Sequence, residues 1–186
     1  MASSSGSDFE TDVGTRKPKR IQLTQEEINE IVAKTTEIQE NGLRKTYLIT
    51  YANVDKKLFP TKKFFAKSCV EAFGGEKRVS YFAACEETHA DGRPHYHVAI
   101  KLTQGGQRWR TAKERLMNQG AAVHFSEGPR QADGMYAWAY RYVCKSDPKP
   151  YHTKNHPTLE KICSDAHKTQ AATSARKRKF EEEKER

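Results

Sequence analysis

Two histidines separated by a single residue, His95 and His97, stand in the run PHYHVAIKL at 94–102. Its apolar and aromatic content reads as a strand. Successive strand side chains point to opposite faces, so the two imidazoles share one face, roughly 7 Å apart along the backbone, while Tyr96 points away. From that position both can converge on one divalent cation at about 2.1 Å. A third, anionic ligand is supplied by the strand before it. Ala90-Asp91-Gly92 fits a three-residue hairpin loop that ends in a left-handed glycine. That loop sets Glu87 opposite His95 and Cys85 opposite His97, and antiparallel partners lie on one face. A two-residue loop would slip the register by one and select Glu86 instead. The position of Gly92 favours Glu87.

The second group with chemistry is Tyr142 and Lys145, in ADGMYAWAYRYVCKS at 132–146. This stretch reads as an aromatic helix covering a sheet face. Residues i and i+3 share a helix face, which sets the Lys145 ammonium beside the Tyr142 phenol. Trp138 continues the same stripe, four residues earlier. Tyr140 has Val143 at i+3 and gains no charged neighbour.

The elements that must position these groups follow in order. Thr24 and Glu27 form a capping box for a helix running to Gln39, with Ile28, Ile31, Val32 and Ile38 on one stripe and Asn41-Gly42 as its stop. Lys45 to Ala52 (KTYLITYA) is a strand. Pro60-Thr61 introduce a helix to about Phe73, with Phe64, Phe65, Cys69 and Phe73 as its apolar side and Gly74-Gly75 after it. The hairpin of 78–87 and 94–102 comes next. Gly105-Gly106, a basic helix over 108–118 and a short strand over 121–126 follow it. This strand, helix, strand, strand, helix, strand, helix order predicts an α+β fold: an antiparallel sheet with flanking helices in a split β-α-β, ferredoxin-like pattern.

The composition bounds the partners. The chain has 186 residues, a formal charge of +9 and 35% hydrophobic content. The charge suits a polyanion, and the low apolar content predicts disordered ends around a smaller core. No apolar run approaches a membrane span, so no membrane partner is expected. Cys69, Cys85, Cys144 and Cys163 are scattered without a CxxC pair, as in reduced intracellular proteins. The clusters RKPKR at 16–20 and Arg176 to Lys179 suit nuclear-localisation signals or solvated tails alike. No phosphate-binding GxxxxGK[ST] loop occurs, and so no P-loop helicase.

Glu87 eight residues before His95-Tyr96-His97, followed by Tyr142-Val143-Cys144-Lys145, resembles motifs II and III of the HUH endonucleases. Leu48-Ile49-Thr50-Tyr51 is similar to their motif I. The closest likeness is to the replication-initiator (Rep) nucleases of small circular single-stranded DNA viruses and their transposon relatives, including replitrons. It covers residues 43–150, leaving a disordered basic tail over 1–22, a helical extension over 23–42 and a charged extension over 151–186. The resemblance implies a nuclease with a single catalytic tyrosine. Glu87, His95 and His97 would hold one Mn²⁺ or Mg²⁺, Tyr142 would be the nucleophile, and Lys145 would assist it. Thr50, Tyr51, Trp138 and Arg141 would lie on the DNA-binding surface, although a packed core position suits Tyr51 as well. The substrate implied is single-stranded DNA, including an origin or transposon-end hairpin, nicked and joined in rolling-circle replication or transposition.

A non-catalytic nucleic-acid-binding module on the same sheet is the alternative reading. His152, His156, Cys163 and His167 also have spacings open to a zinc site, against which stands an extension packed on the sheet.

Overall fold

The computed structural model describes residues 23–38, 44–103, 109–128 and 134–184. Helix α1 (Gln25–Ala33) opens on the capping box: Thr24 Oγ1 accepts from Glu27 N–H at 3.2 Å, and the Glu27 carboxylate accepts from Thr24 N–H at 2.9 Å. Strands β1 (Thr36–Glu37) and β2 (Thr46–Tyr51) lead to α2 (Lys62–Ala72), which Thr61 caps. Then come β3 (Val79–Thr88), β4 (Pro94–Leu102), α3 (Trp109–Asn118), β5 (Val123–Glu127), α4 (Gly134–Cys144), β6 (Tyr151–His152) and α5 (Leu159–Lys184). The strands form one antiparallel sheet ordered β1-β5-β2-β4-β3-β6. The fold is α+β.

Alternation along the strands builds two cores. Tyr47, Ile49, Tyr51, Phe82, Ala84, Tyr96, Val98 and Ile100 pack beneath α2 and α3. Leu48, Ala83, Cys85 and Ala99 face the other way, beneath α4, with Ile31 of α1 and Ile162 of α5 added. His95, His97 and Glu87 belong to this second face by their parity in the strands.

The hairpin has the expected loop and register. His89 N–H donates to Arg93 C=O at 3.1 Å, Gly92 sits at φ +80°, and Glu87 pairs with His95 and Cys85 with His97. A side chain at Gly92 would be strained by that backbone.

Two expectations change. The first helix stops at Ala33 rather than Gln39. The β-branched pair Thr35-Thr36 turns the chain into β1 on the edge of β5, and Ile38 N–H donates to Phe125 C=O at 2.8 Å. Ile38 therefore enters the α2/α3 core while Val32 is exposed. In α2, Ala66 and Val70 join Phe65, Cys69 and Phe73 inside, and Phe64 is left exposed at the margin of the stripe. The extension over 151–186 packs on the fold as expected, with β6 paired to β3 and the start of α5 on α4. The predicted basic tail at 1–22, the Asn41-Gly42 stop and Gly105-Gly106 lie outside the described residues.

Candidate active site

Glu87 and His97 meet across the β3–β4 ladder. They sit one step diagonally apart on the α4 face, with His97 Nε2 3.1 Å from a Glu87 carboxylate oxygen. Glu86, one residue earlier, points to the opposite face and pairs with Lys56 Nζ at 2.5 Å. Alternation thus gives the two neighbouring carboxylates different roles.

Helix α4 ends at Cys144, and Lys145 continues as a turn whose N–H donates to Tyr142 C=O at 3.3 Å. This turn folds the Lys145 ammonium back over the Tyr142 ring, 4.9 Å from its centroid. The same ammonium donates to the Glu87 carboxylate at 2.5 Å. The Tyr142 ring lies 5.2 Å from that of His97, edge to face, and 6.1 Å from that of Trp138. A carboxylate, an imidazole, an ammonium and a phenol converge from two parts of the chain.

The charges are interdependent. The His97 imidazole and the Lys145 ammonium hold the Glu87 carboxyl well below the usual carboxylate range. Burial pushes His97 below its ordinary value, against the pull of Glu87. Burial and the Glu87 charge both raise the Tyr142 phenol. The site at neutral pH is an ionised Glu87, a neutral His97 and a neutral phenol.

The donor set can be tested against a hard divalent cation. Ligands at right angles on an ion with ~2.1 Å bonds stand roughly 3 Å apart, and the Glu87–His97 pair has that spacing. His95 stands further off. Its ring centroid is 6.5 Å from that of His97, whereas imidazoles sharing an ion stand roughly 4.5–5 Å apart. Its ring leans on His89 at 3.7 Å, so reaching the common position takes a rotation away from His89. Among the described residues, no three or more His, Cys, Asp and Glu side chains are already gathered into a cage. Glu87 and His97 have the spacing of metal ligands, but the same Glu87 oxygen accepts from the Lys145 ammonium, so a metal would have to displace that ammonium, and His95 fits after its rotation. His89 is an addition to the sequence reading; its signal is the alternation Cys85, Glu87, His89, which carries one residue past the end of β3.

Thr50 has a sharper role than the sequence suggested. Its Oγ1 lies 3.0 Å from His97 Nδ1 across the β2–β4 pair. Facing the ionised Glu87, the neutral imidazole donates from Nε2 and accepts at Nδ1 from the Thr50 hydroxyl; a metal at Nε2 would need the other tautomer, in which Nδ1–H is donated to Thr50. Thr50→Val keeps the shape and removes the hydroxyl. Its Mn²⁺ affinity, read by electron paramagnetic resonance, is expected to fall about 10–100-fold. Unchanged affinity would separate Thr50 from ligand orientation.

Of the other expected DNA contacts, Tyr51 and Trp138 are turned inward and Arg141 is held in an ion pair. Tyr51 is buried against Phe59 and Phe65, and its hydroxyl donates to Gly120 C=O and accepts from Asp55 N–H. Trp138 is buried and donates from Nε1 to Ile31 C=O of α1 at 3.3 Å. Arg141 pairs with Glu27 of the same helix. The α1 segment covers the α4 surface that had been expected to meet DNA. Tyr140 is buried too, its phenol pushed up by that burial and its ring 4.6 Å from His156, away from Lys145.

The histidines after α4 are engaged in packing. The Tyr136 hydroxyl and His156 Nε2 are hydrogen-bonded at 2.8 Å, and His152 Nδ1 bonds Thr153 C=O at 2.9 Å. Cys163 packs at the margin of the α4 core, and the His167 side chain lies outside what is described. Burial depresses the His156 pKa to about 4. Between about 6.5, where the unfolded chain takes up this proton, and 4, stability is lost as pH falls. His156→Gln keeps an acceptor for Tyr136 and cannot titrate. Its urea-denaturation stability should lose about 1–2 kcal/mol less than the wild type between pH 7 and 4.5. An equal loss would remove His156 from the acid response.

No family model matches the chain, and no curated protein matches it.

Proposed function

We propose that this protein is a metal-dependent nicking and joining enzyme of the HUH endonuclease type, acting on single-stranded DNA. The observation that carries the reading is the meeting of Tyr142 and Lys145 with Glu87 and His97, more than 40 residues away in the chain. The strand order supports it further. With β2, β3, β4 and β5 taken as strands one to four, the sheet reads four-one-three-two with α2 and α3 on one face, which supports a split β-α-β, ferredoxin-like reading of the core. The nuclease unit would extend beyond 43–150 to include β1 and β6.

In this mechanism Tyr142 Oη attacks the scissile phosphorus in line. A bond forms between that oxygen and phosphorus, and the bond to the 3′-oxygen breaks. The product is a 5′-phosphotyrosine and a free 3′-OH; the phenol proton passes to solvent and the leaving oxygen takes one up. A Mn²⁺ or Mg²⁺ held by Glu87, His97 and His95 would supply Lewis-acid polarisation of the phosphate. Lys145 lies against the phenol ring and stabilises the negative charge that grows on Oη and on the phosphate. Glu87 holds that ammonium in place, and Thr50 holds His97. Because the phosphotyrosine conserves the bond energy, an incoming 3′-OH can reverse the step and join strands. Such chemistry suits replication or transposition of a DNA element, in the nucleus if the basic clusters act as import signals.

The test is covalent capture. Protein incubated with a labelled random-sequence single-stranded pool and Mn²⁺ is expected to give a slower, SDS-resistant band. Clear native binding with intact Mn²⁺ affinity and no such band would favour the non-catalytic binding module.

A further inference from the structure

On the opposite face of the sheet from Tyr142, a cleft of about 860 Å³ runs between α2 and the edge formed by β3 and β6. That volume is within the range of sites for small ligands. Its walls have an ordered chemistry. Lys63, Lys67 and Glu71 follow one another at i, i+4 and i+8 along α2, so they share the face that borders the cleft. The floor is aromatic: the Tyr151 and Phe82 rings lie 5.7 Å apart, and Lys63 Nζ stands 5.6 Å from the Tyr151 ring centroid. Lys154 lines the cleft too, and Thr153, another lining residue, has a buried Oγ1 with no hydrogen-bond partner. Glu76 joins Glu71 at the acidic end.

We propose that this cleft is a nucleotide-binding subsite for a single DNA strand. One base stacks on Tyr151, the flanking phosphates lie on Lys63, Lys67 and Lys154, and the base's exocyclic amine faces Glu71 and Glu76. Stacking on a flat ring tolerates any base, and ammonium groups hold the backbone. The carboxylates add a preference, because Glu accepts from the amino group of cytosine and finds no such donor on thymine. An aromatic floor, a basic end and an acidic end together fit a nucleotide better than an inorganic anion, which would use only the lysines. After Lys145 the chain passes around the edge of β3, so Tyr151 is only nine residues beyond Tyr142 but on the other face. The choice of DNA as the strand rests on the proposed function; the cleft's use does not require Tyr142 to act.

The experiment uses the full chain carrying Tyr142→Phe, so that no covalent chemistry intervenes. A fluorescein-labelled 12-mer of oligodeoxycytidylate with 5-iododeoxycytidine at its centre is bound, irradiated and digested. The expected cross-link is to the peptide containing Tyr151. In parallel, Lys63→Glu/Lys67→Glu, on the exposed side of α2, is expected to weaken binding at least about 10-fold and to lower the salt slope by about two. An oligothymidylate 12-mer should bind several-fold more weakly than the oligodeoxycytidylate. Cross-links confined to other peptides, or affinity unchanged by the double reversal, would overturn the subsite even if binding itself persisted. A Tyr151 cross-link alongside a wild-type protein that never forms a covalent adduct would leave the subsite standing and remove the nuclease reading alone.

Discussion

Tyr142→Phe is expected to abolish the SDS-resistant protein–DNA band, a loss of at least about 10³-fold, while native binding of the same strand stays within about two-fold. The substitution removes one oxygen and keeps the ring, so the contacts at 5.2 Å to His97 and 6.1 Å to Trp138 persist. A nucleophile cannot be replaced by its neighbours when the reaction needs its own bond to phosphorus, and such losses are large. The companion variant sharpens the result. Tyr140 lies two residues away, but its ring faces His156 and its hydroxyl is buried toward Cys144. Tyr140→Phe should therefore retain the band. A band that survives Tyr142→Phe and disappears in Tyr140→Phe would reverse the assignment of the two faces of α4.

The largest effect on stability is expected from Phe65→Ala. Phe65 is fully buried and its ring lies 5.3 Å from Tyr51, 5.6 Å from Phe59 and 5.7 Å from Tyr96. Loss of a buried phenyl, with its aromatic contacts and the cavity it leaves, costs about 3–5 kcal/mol in all. Urea denaturation should show a fall of about 4 kcal/mol, against about 1 kcal/mol for Phe64→Ala, whose ring is half exposed and meets only Phe59 at 6.1 Å among the aromatic pairs described. Comparable losses from the two would contradict the stripe assigned to α2. The effect reaches the site, because Tyr96 stands between His95 and His97 and its packing on Phe65 seats that part of β4 on the α2 side.

What could be read from the sequence was local. The loop glycine at 92 determined the hairpin register, and with it the choice of Glu87 over Glu86, because one backbone constraint propagates along a whole ladder. The Thr24–Glu27 and Thr61 caps marked two helix starts for the same reason. Long-range partners were not legible. Nothing in the spacing of Thr50 announces that β2 pairs with β4 at His97, and nothing in Trp138 or Arg141 announces that α1 will lie over them. Aromatic and basic residues near a reactive tyrosine look the same in sequence whether they face solvent or a covering helix. His95 shows the limit from the other side. Strand parity put it on the correct face, but the ring's lean toward His89 is a side-chain choice that alternation does not encode.

The two shortest strands have a consequence for how this protein behaves in a crowded solution. β1 and β6, two residues each, cap part of the outer rims of the sheet, at Ser126-Glu127 of β5 and Ala83-Ala84 of β3. Inside them lie β5 and β3, whose backbone N–H and C=O groups would otherwise be open templates for another chain. A fragment trimmed to the motif-bearing residues 44–150 would lose both rims at once. It would keep every proposed catalytic group yet offer two adhesive borders, and self-association would compete with DNA for the protein. The segments outside the motifs are in that sense the molecule's guard against sticking to itself.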